Sequence, residues 1–349
     1  MNKLISTVLF FALFSCKCDT EQVSVKKQEK PKQSEFAIVI HGGAGTISKE
    51  NMTLELEKLY RNKLEEAIRA GYIVLKSGGS STEAVEASIC IMEDSPLFNA
   101  GKGAVFTNEG TNELDASVME GKKLNAGAVA GVKTIKNPIK AAIEVMNNSN
   151  HVLLSGAGAD RFADERGLET VNPSYFYTKR RFNSLQKLKD SKKPSVKSGK
   201  KSAYYSTYKN NNKFGTVGCV ALDKKGNISA GTSTGGMTNK RWNRIGDSPI
   251  IGAGTYANNN SCGVSATGWG EYFIRGVIAH DIAAQIEYKN ISLKEAAYNV
   301  IQNKLTKLGG KGGIIAIDKY GNTVFEFNTT GMYRASMNDK GKLNLEIFK

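Results

Sequence analysis

A chain of 349 residues with 40% apolar side chains can bury a sizeable core, as one large α/β domain or two smaller ones, and this excludes disorder throughout. Its formal charge of +15 points at first to nucleic acid or an anionic membrane, but Lys179 to Lys213 alone holds twelve Lys or Arg against Asp190, supplying +11 and leaving +4 for the rest. The folded body is therefore nearly balanced, which argues against a nucleic-acid partner.

Lys3 followed by the apolar run Leu4 to Phe14 reads as an export signal, too short to span a bilayer as a mature helix. It ends in Leu13-Phe14-Ser15-Cys16, which resembles a bacterial lipoprotein box with Cys16 as the lipidated residue; an ordinary secretory signal is the alternative. Residues 1–15 are thus expected to be removed and 16–35 to form a solvated tether. The protein is expected to be exported, periplasmic or anchored to a membrane through Cys16. Residues 36–349 remain as one folded domain. Its cysteines, Cys90, Cys219 and Cys262, sit in apolar settings, as expected of free thiols. His41, His151 and His280 show no metal-binding spacing, and no CxxC is present.

Phe36 to Ile40 predicts a buried strand entering a glycine turn, His41-Gly42-Gly43-Ala44-Gly45-Thr46. That turn lacks the Gly-Lys-Ser/Thr ending of a phosphate loop, and His41 reads as structural. Helical spacing covers Thr53 to Lys76, and Ser80 or Ser81 caps a second helix, Thr82 to Glu93. The glycine-punctuated loop Leu97 to Phe106 precedes strands Glu113–Glu120 and Ala126–Val132, expected to form a hairpin. Asn137-Pro138 opens a helix through Met146, followed by a short strand, His151–Leu154, and a helix, Ala157–Glu165. From Thr178 the apolar period fails, so 178–215 is expected to be a mobile basic linker.

Beyond it, strands are expected at Val217–Leu222, Ile228–Gly231, Ile250–Tyr256 and Cys262–Thr267. Helices follow at Glu271–Tyr288 and Leu293–Leu305, then a last hairpin, Ile314–Asp318 with Thr323–Asn328. This order predicts two central sheets covered by helices on both outer faces.

The linker joins the first of these strands at Lys213-Phe214-Gly215-Thr216-Val217-Gly218. A threonine at a chain start has an α-amine whose ordinary pKa lies near neutrality, so a cut at Gly215-Thr216 would supply Thr216 with its own general base. Two other hydroxyl-and-glycine elements end strands: Gly231-Thr232-Ser233-Thr234-Gly235-Gly236 and Ser265-Ala266-Thr267-Gly268-Trp269-Gly270. Hairpin pairing can bring Thr234 beside Thr216, and Thr267 with the Gly268 N–H can serve a developing oxyanion. Arg244 and Asp247 suit an amino-acid zwitterion, arginine for the carboxylate and aspartate for the ammonium. Each element also has a bland reading as strand threonine, surface charge or turn glycine.

The motifs His41-Gly42-Gly43-Ala44-Gly45, Asn99-Ala100-Gly101-Lys102-Gly103-Ala104-Val105-Phe106-Thr107, Glu113-Leu114-Asp115-Ala116-Ser117-Val118-Met119 and the stretch from Gly215 through Arg275 resemble the plant-type L-asparaginase and isoaspartyl (β-aspartyl) peptidase family of N-terminal nucleophile hydrolases. The resemblance implies a four-layer αββα sandwich of the α/β (α+β) class. It also implies a precursor that cuts itself into chains 36–215 and 216–349, which assemble as an (αβ)2 heterotetramer.

By the same resemblance Thr216 is the nucleophile, Thr234 its supporting hydroxyl, and Thr267 with Gly268 the oxyanion hole. Arg244 and Asp247 clamp the substrate with help from the Gly268 and Gly270 backbone, and Asn99 lies near the cleavage and substrate site. No cofactor is implied for catalysis. Main-chain oxygens of Met92, Glu93, Phe98, Ala100 and Lys102 match a structural sodium site. The implied substrates are small molecules, asparagine and β-aspartyl dipeptides. Glycosylasparaginase shares the fold and nucleophile and is the nearest rival; an uncut, non-catalytic surface lipoprotein is the rival from another class.

Overall fold

The computed structural model describes residues 34–191 and 215–349. The export signal with Cys16, the tether up to residue 33 and residues 192–214 of the basic linker lie outside the described residues. No helix among the described residues is long and apolar enough to cross a membrane.

Strand β1 (Ala37–Gly45) is buried along its whole length. Its side chains alternate between two cores: Ile38 and Ile40 pack with one cluster, Ala37 and Val39 with another, as a strand sandwiched between two layers requires. The predicted turn at His41 is not made. The strand runs on through the glycines, with a register shift between His41 and Gly43 and a Gly43 φ of +112°, a conformation that only glycine adopts readily.

Helix α1 (Leu54–Lys76) starts at Thr53, whose hydroxyl accepts from Leu56 N. Helix α2 (Ser81–Glu93) starts at a capping box made by Ser80 and Glu83. The two helices and β1 close on one another at Gly71, where a Cβ would collide with Ser88 Oγ and Ile38 Cδ1 and lie 2.8 Å from Ala84 O. Strands β2 (Leu114–Glu120) and β3 (Ala126–Val132) form the expected antiparallel pair. Helix α3 (Pro138–Asn148) then carries the chain across to β4 (Leu153–Ser155), parallel to β3, and α4 (Gly156–Glu165) follows.

The expectation of a structureless linker from residue 178 is corrected by helix α5 (Lys179–Asp190), capped by Thr178. Leu185 is buried, and Phe182 meets the rings of Phe106 and Tyr177 edge-on and tilted. The apolar spacing Phe182, Leu185, Leu188 is a helical face that the surrounding lysines and arginines obscure.

Strands β5 (Val217–Leu222) and β6 (Ile228–Thr234) form the next hairpin, then β7 (Thr255–Ala257) and β8 (Cys262–Gly268). Strand β7 is shorter than predicted because 250–254 is spent on turns closed by Ala253 N and Gly254 N donating to Ile250 O. The single helix expected at 271–288 is two, α6 (Gly270–Gly276) and α7 (Ile278–Lys289), split at Val277 with φ +49°. Helix α8 (Leu293–Tyr298) widens into a π-helical turn, Asn299–Leu305.

After the hairpin of β9 (Gly312–Asp318) and β10 (Thr323–Phe327) come two strands absent from the expectation, β11 (Gly331–Asn338) and β12 (Leu343–Phe348).

The strands assemble as an eight-stranded sheet, β12-β11-β1-β5-β6-β2-β3-β4, and a four-stranded sheet, β10-β9-β8-β7. Val39, Val220, Leu222 and Ala230 of the large sheet meet Ile315 and Ile317 of the small one. Helices α1 to α3 cover the other face of the large sheet, and α7 and α8 that of the small one. The fold is the expected four-layer αββα sandwich. Cys90, Cys219 and Cys262 are free thiols, Cys219 and Cys262 buried between strands and helices.

Candidate active site

Antiparallel pairing of β5 with β6 sets Val217 opposite Ser233, so the residues one step outward, Thr216 and Thr234, face each other at the strand ends. Thr216 Oγ1 lies 3.1 Å from Thr234 Oγ1 and 2.8 Å from the carbonyl oxygen of Gly215. That oxygen also accepts from Asn99 Nδ2 at 2.7 Å and faces Thr234 Oγ1 at 3.2 Å. The peptide carbonyl preceding the threonine is thus surrounded by donors, which is the arrangement that stabilises negative charge on that oxygen when a nucleophile adds to its carbon.

Each donor is itself held. Asn99 Oδ1 accepts from Val105 N at 2.9 Å, and its Nδ2 also reaches Gly236 O at 2.8 Å. Thr234 Oγ1 accepts from Gly236 N at 3.0 Å, which leaves its own proton for the Gly215 carbonyl or for Thr216. Glycines allow the crowding: a Cβ at Gly43 would stand 2.9 Å from Gly215 Cα, and one at Gly235 would stand 2.7 Å from Asn99 Oδ1.

His41 is buried, as a structural histidine should be, but it also touches the nucleophile's own main chain. Nδ1 lies 3.0 Å from Thr216 O and Nε2 3.0 Å from Ser265 Oγ. A carbonyl only accepts, so Nδ1 carries the proton and Ser265 donates to Nε2. Burial pulls the His41 pKa down to about 3, so the ring is neutral at every working pH. Behind it, Ser265, Thr232, Thr255 and Ser117 form a hydroxyl chain between the sheets, with contacts of 2.6 to 2.8 Å.

A cleft opens beside Thr216, lined by Thr234, Gly236, Arg244, Gly246, Asp247 and Gly268 among others. Arg244 donates to Glu271 through Nε and Nη2, each at 2.9 Å, leaving its Nη1 edge toward Gly236 and Gly246. Burial disfavours the Arg244 charge, but Glu271 and Asp247 outweigh it and raise the pKa. Burial likewise works against the Glu271 charge, and the bonds from Arg244 override it, so that carboxyl is held below its usual range. Asp247 is the reverse case: burial pushes it up to about 7 against the pull of Arg244. Its Oδ2 has no hydrogen-bond partner among the described residues, so a buried acceptor is left for a ligand's donor.

The structure therefore brings Thr216, Thr234, Arg244, Asp247 and Gly268 to one cleft, with Asn99 bonded to the Gly215 carbonyl at its border. Gly270 lies behind the clamp, where a Cβ would be 2.7 Å from Asp247 Oδ1. Thr267 is buried, and its hydroxyl accepts from Ala44 N at 3.2 Å, tying β8 to β1. Sequence reasoning missed Glu271, whose spacing from Arg244 carries no motif, and the contact of His41 with Thr216. It also missed the side chain of Glu93, which accepts from Ser233 Oγ at 2.6 Å and Ile139 N at 3.1 Å and is pushed up to about 8 by burial.

The loop from Met92 to Lys102 carries the main-chain oxygens that the resemblance assigns to a cation site. Gly103 is packed against Phe98 O and lacks the Cβ that would also lie 2.9 Å from Ser95 O; Gly101 is packed against Glu93 O. Main-chain oxygens are the donor type that a hard monovalent ion takes. Met92 O and Ala100 O each already accept a main-chain N–H, from Ser95 and Gly103, and keep a second lone pair.

The family model described as asparaginase matches residues 34–347. The isoaspartyl peptidase of Escherichia coli K12 is 50% identical over 298 residues, covering 85% of this chain and 91% of its own. That of Salmonella typhimurium is 48% identical over 299 residues, covering 85% and 94%. The isoaspartyl peptidase/L-asparaginase of Mus musculus is 39% identical over 312 residues, covering 89% and 90%.

Proposed function

Because the chain belongs to the asparaginase family along 34–347, we propose that it is an isoaspartyl peptidase and L-asparaginase whose nucleophile, Thr216, is freed by self-cleavage of Gly215-Thr216. The observation that carries this reading is the Gly215 carbonyl held by Asn99 Nδ2 with two threonine hydroxyls beside it. In the uncut chain Thr216 Oγ attacks that carbonyl carbon, the oxygen takes the charge, and the peptide shifts from nitrogen to oxygen. The Oγ proton passes to the departing nitrogen, which becomes the Thr216 α-amine as the ester forms; water then splits the ester, giving Gly215 a carboxylate and returning the Thr216 hydroxyl.

In the mature enzyme the amine accepts the Oγ proton as Oγ attacks the side-chain amide of asparagine or the β-linked bond of an isoaspartyl dipeptide. Ammonia or an amino acid leaves, and water releases aspartate. Arg244 takes the α-carboxylate on its free edge and Asp247 the α-ammonium. Thr267 and the Gly268 N–H face the oxyanion of the substrate step in this scheme.

Sodium held by main-chain oxygens of Met92, Glu93, Phe98, Ala100 and Lys102 would fix the loop that presents Asn99; it enters no chemical step. We further place the mature protein outside the cytoplasm, anchored through Cys16 or free in the periplasm, as an (αβ)2 assembly. The folded domain would be divided into 36–215, which carries the tether 16–35, and 216–349.

A denaturing gel with N-terminal sequencing tests the reading. Two unequal bands, the smaller beginning Thr216-Val217-Gly218, are expected; a single uncut band would support a non-catalytic binding module instead. Turnover of β-aspartyl-leucine and asparagine, with an asparagine-linked sugar left intact, separates this enzyme from a glycosylasparaginase.

The acid limb of the pH profile gives a second test. The Thr216 amine, ordinarily near pKa 7.7–8.0, must be neutral to take a proton. Asp247, near 7, must be ionised to take an ammonium. Acidification removes both functions, so kcat/KM for asparagine should fall with a limiting slope near two, about 100-fold per pH unit. In the complex the bound ammonium keeps Asp247 ionised, so kcat should fall with a slope of about one. Equal slopes in the two profiles would refute the role given to Asp247.

A further inference from the structure

Gly215 lines two cavities, the cleft of Thr216, Arg244 and Asp247 and a second of about 180 Å³. The second is walled by Gly43, Phe98, the rings of Tyr60 and Tyr333 stacked at 4.2 Å, and Arg180 and Arg181 of α5. Arg181 Nε donates to Gly103 O at 2.8 Å. Arg180 donates to Tyr60 Oη at 3.1 Å, Pro96 O at 2.9 Å and Leu97 O at 2.7 Å. All these acceptors are neutral, and among the described residues no carboxylate pairs with either guanidinium. Burial, with the neighbouring Arg180 charge adding to it, brings the Arg181 pKa down to about 10.

The geometry points to this cavity as a carboxylate subsite, filled either by the α-carboxylate of the amino acid leaving a β-aspartyl dipeptide or by the carboxylate that cleavage creates on Gly215. This rests on the function proposed above. A substrate acyl carbon attacked by Thr216 Oγ takes the place of the Gly215 carbonyl carbon. With the aspartyl head on Arg244 and Asp247, the leaving amino acid extends to the side where Gly215 now borders the second cavity. The stacked tyrosines and Phe98 offer its side chain an apolar wall, and the arginines offer its carboxylate a two-pronged partner. Ammonia leaving from asparagine engages neither, so with a substrate carboxylate as the occupant the cavity reads dipeptides alone.

The test compares β-aspartyl-leucine with β-aspartyl-leucinamide, which lacks the terminal charge, on the mature wild-type enzyme, the double variant Arg180→Gln/Arg181→Gln and Arg180→Gln alone. The single variant covers the chance that losing the Arg181–Gly103 bond impairs folding. For a substrate carboxylate, wild type should favour the free acid about tenfold or more in kcat/KM. Either variant should bring that ratio toward one. For the Gly215 carboxylate, the wild-type ratio should already be near one. Carboxypeptidase should then spare the end of the first chain in wild type and trim it in the variants, read by mass. A ratio and a trimming pattern both unmoved by the substitutions would overturn the proposal. Asparagine turnover by wild type, measured alongside, reports on the parent reading separately.

Discussion

Thr216→Ala yields one full-length chain that hydrolyses neither asparagine nor β-aspartyl-leucine. Removing Oγ deletes the attacking atom in both self-cleavage and turnover, and no other hydroxyl is placed to replace it: Thr234 Oγ1 faces the Gly215 oxygen and is held by Gly236 N. The expected loss is at least about 10³-fold, the scale on which nucleophile deletions act. The fold should survive, because among the described residues Thr216 Oγ1 bonds only Gly215 O and Thr234 Oγ1, and a hydrogen bond of that kind contributes about 1 kcal/mol. Thr216→Ser keeps the hydroxyl and should still be cut. Intact-mass measurement after expression, followed by ammonia release, decides the matter; a Thr216→Ala protein that splits at 215/216 would move the nucleophile elsewhere.

Arg244→Leu separates maturation from catalysis. The groups around the Gly215 carbonyl are Asn99, Thr216 and Thr234, so this variant should still cut itself. Turnover should nevertheless fall. The substitution removes the carboxylate anchor and leaves Glu271 and Asp247 without their cation; Asp247, buried, is then driven further toward its neutral form and grips an ammonium poorly. The expected effect is a KM for asparagine raised about 100-fold or more, with a smaller change in kcat. Arg244→Lys should be nearly as damaging, since one ammonium cannot serve both Glu271 and a substrate carboxylate in the fork geometry that Arg244 adopts. Steady-state kinetics on the matured variant provide the check, and an unchanged KM would remove Arg244 from the substrate site.

What was legible in the chain was local. A glycine before a threonine at the start of a strand, hydroxyls at strand ends, an arginine three residues before an aspartate and the alternation of buried strands are all written in neighbouring residues. Helix starts were equally readable near Thr53, at Ser80 or Ser81 and at Asn137-Pro138. Where reading failed, it failed for physical reasons of the same kind. Glycines after β1 looked like a turn, yet the strand continues because Gly43 lies against Gly215. Helix α5 was hidden because its five lysines and arginines outnumber its three apolar residues, Phe182, Leu185 and Leu188. Strand β11 was missed because a strand between β1 and β12 gains its pairing from partners nearly 300 residues away in one case and a few residues in the other.

By itself, then, the sequence determined the chemical types, their order and the junction at Gly215-Thr216. Only the tertiary structure decided which of them meet. Asn99 reaches the Gly215 carbonyl across 116 positions, His41 reaches Thr216 O across 175, and Glu271 holds Arg244 across 27. Those meetings depend on strand register and on glycines that let backbones approach, because a hydrogen bond demands placement to a few tenths of an ångström. Periodicity and composition specify which face of a strand is buried; sheet pairing specifies which atoms on that face touch.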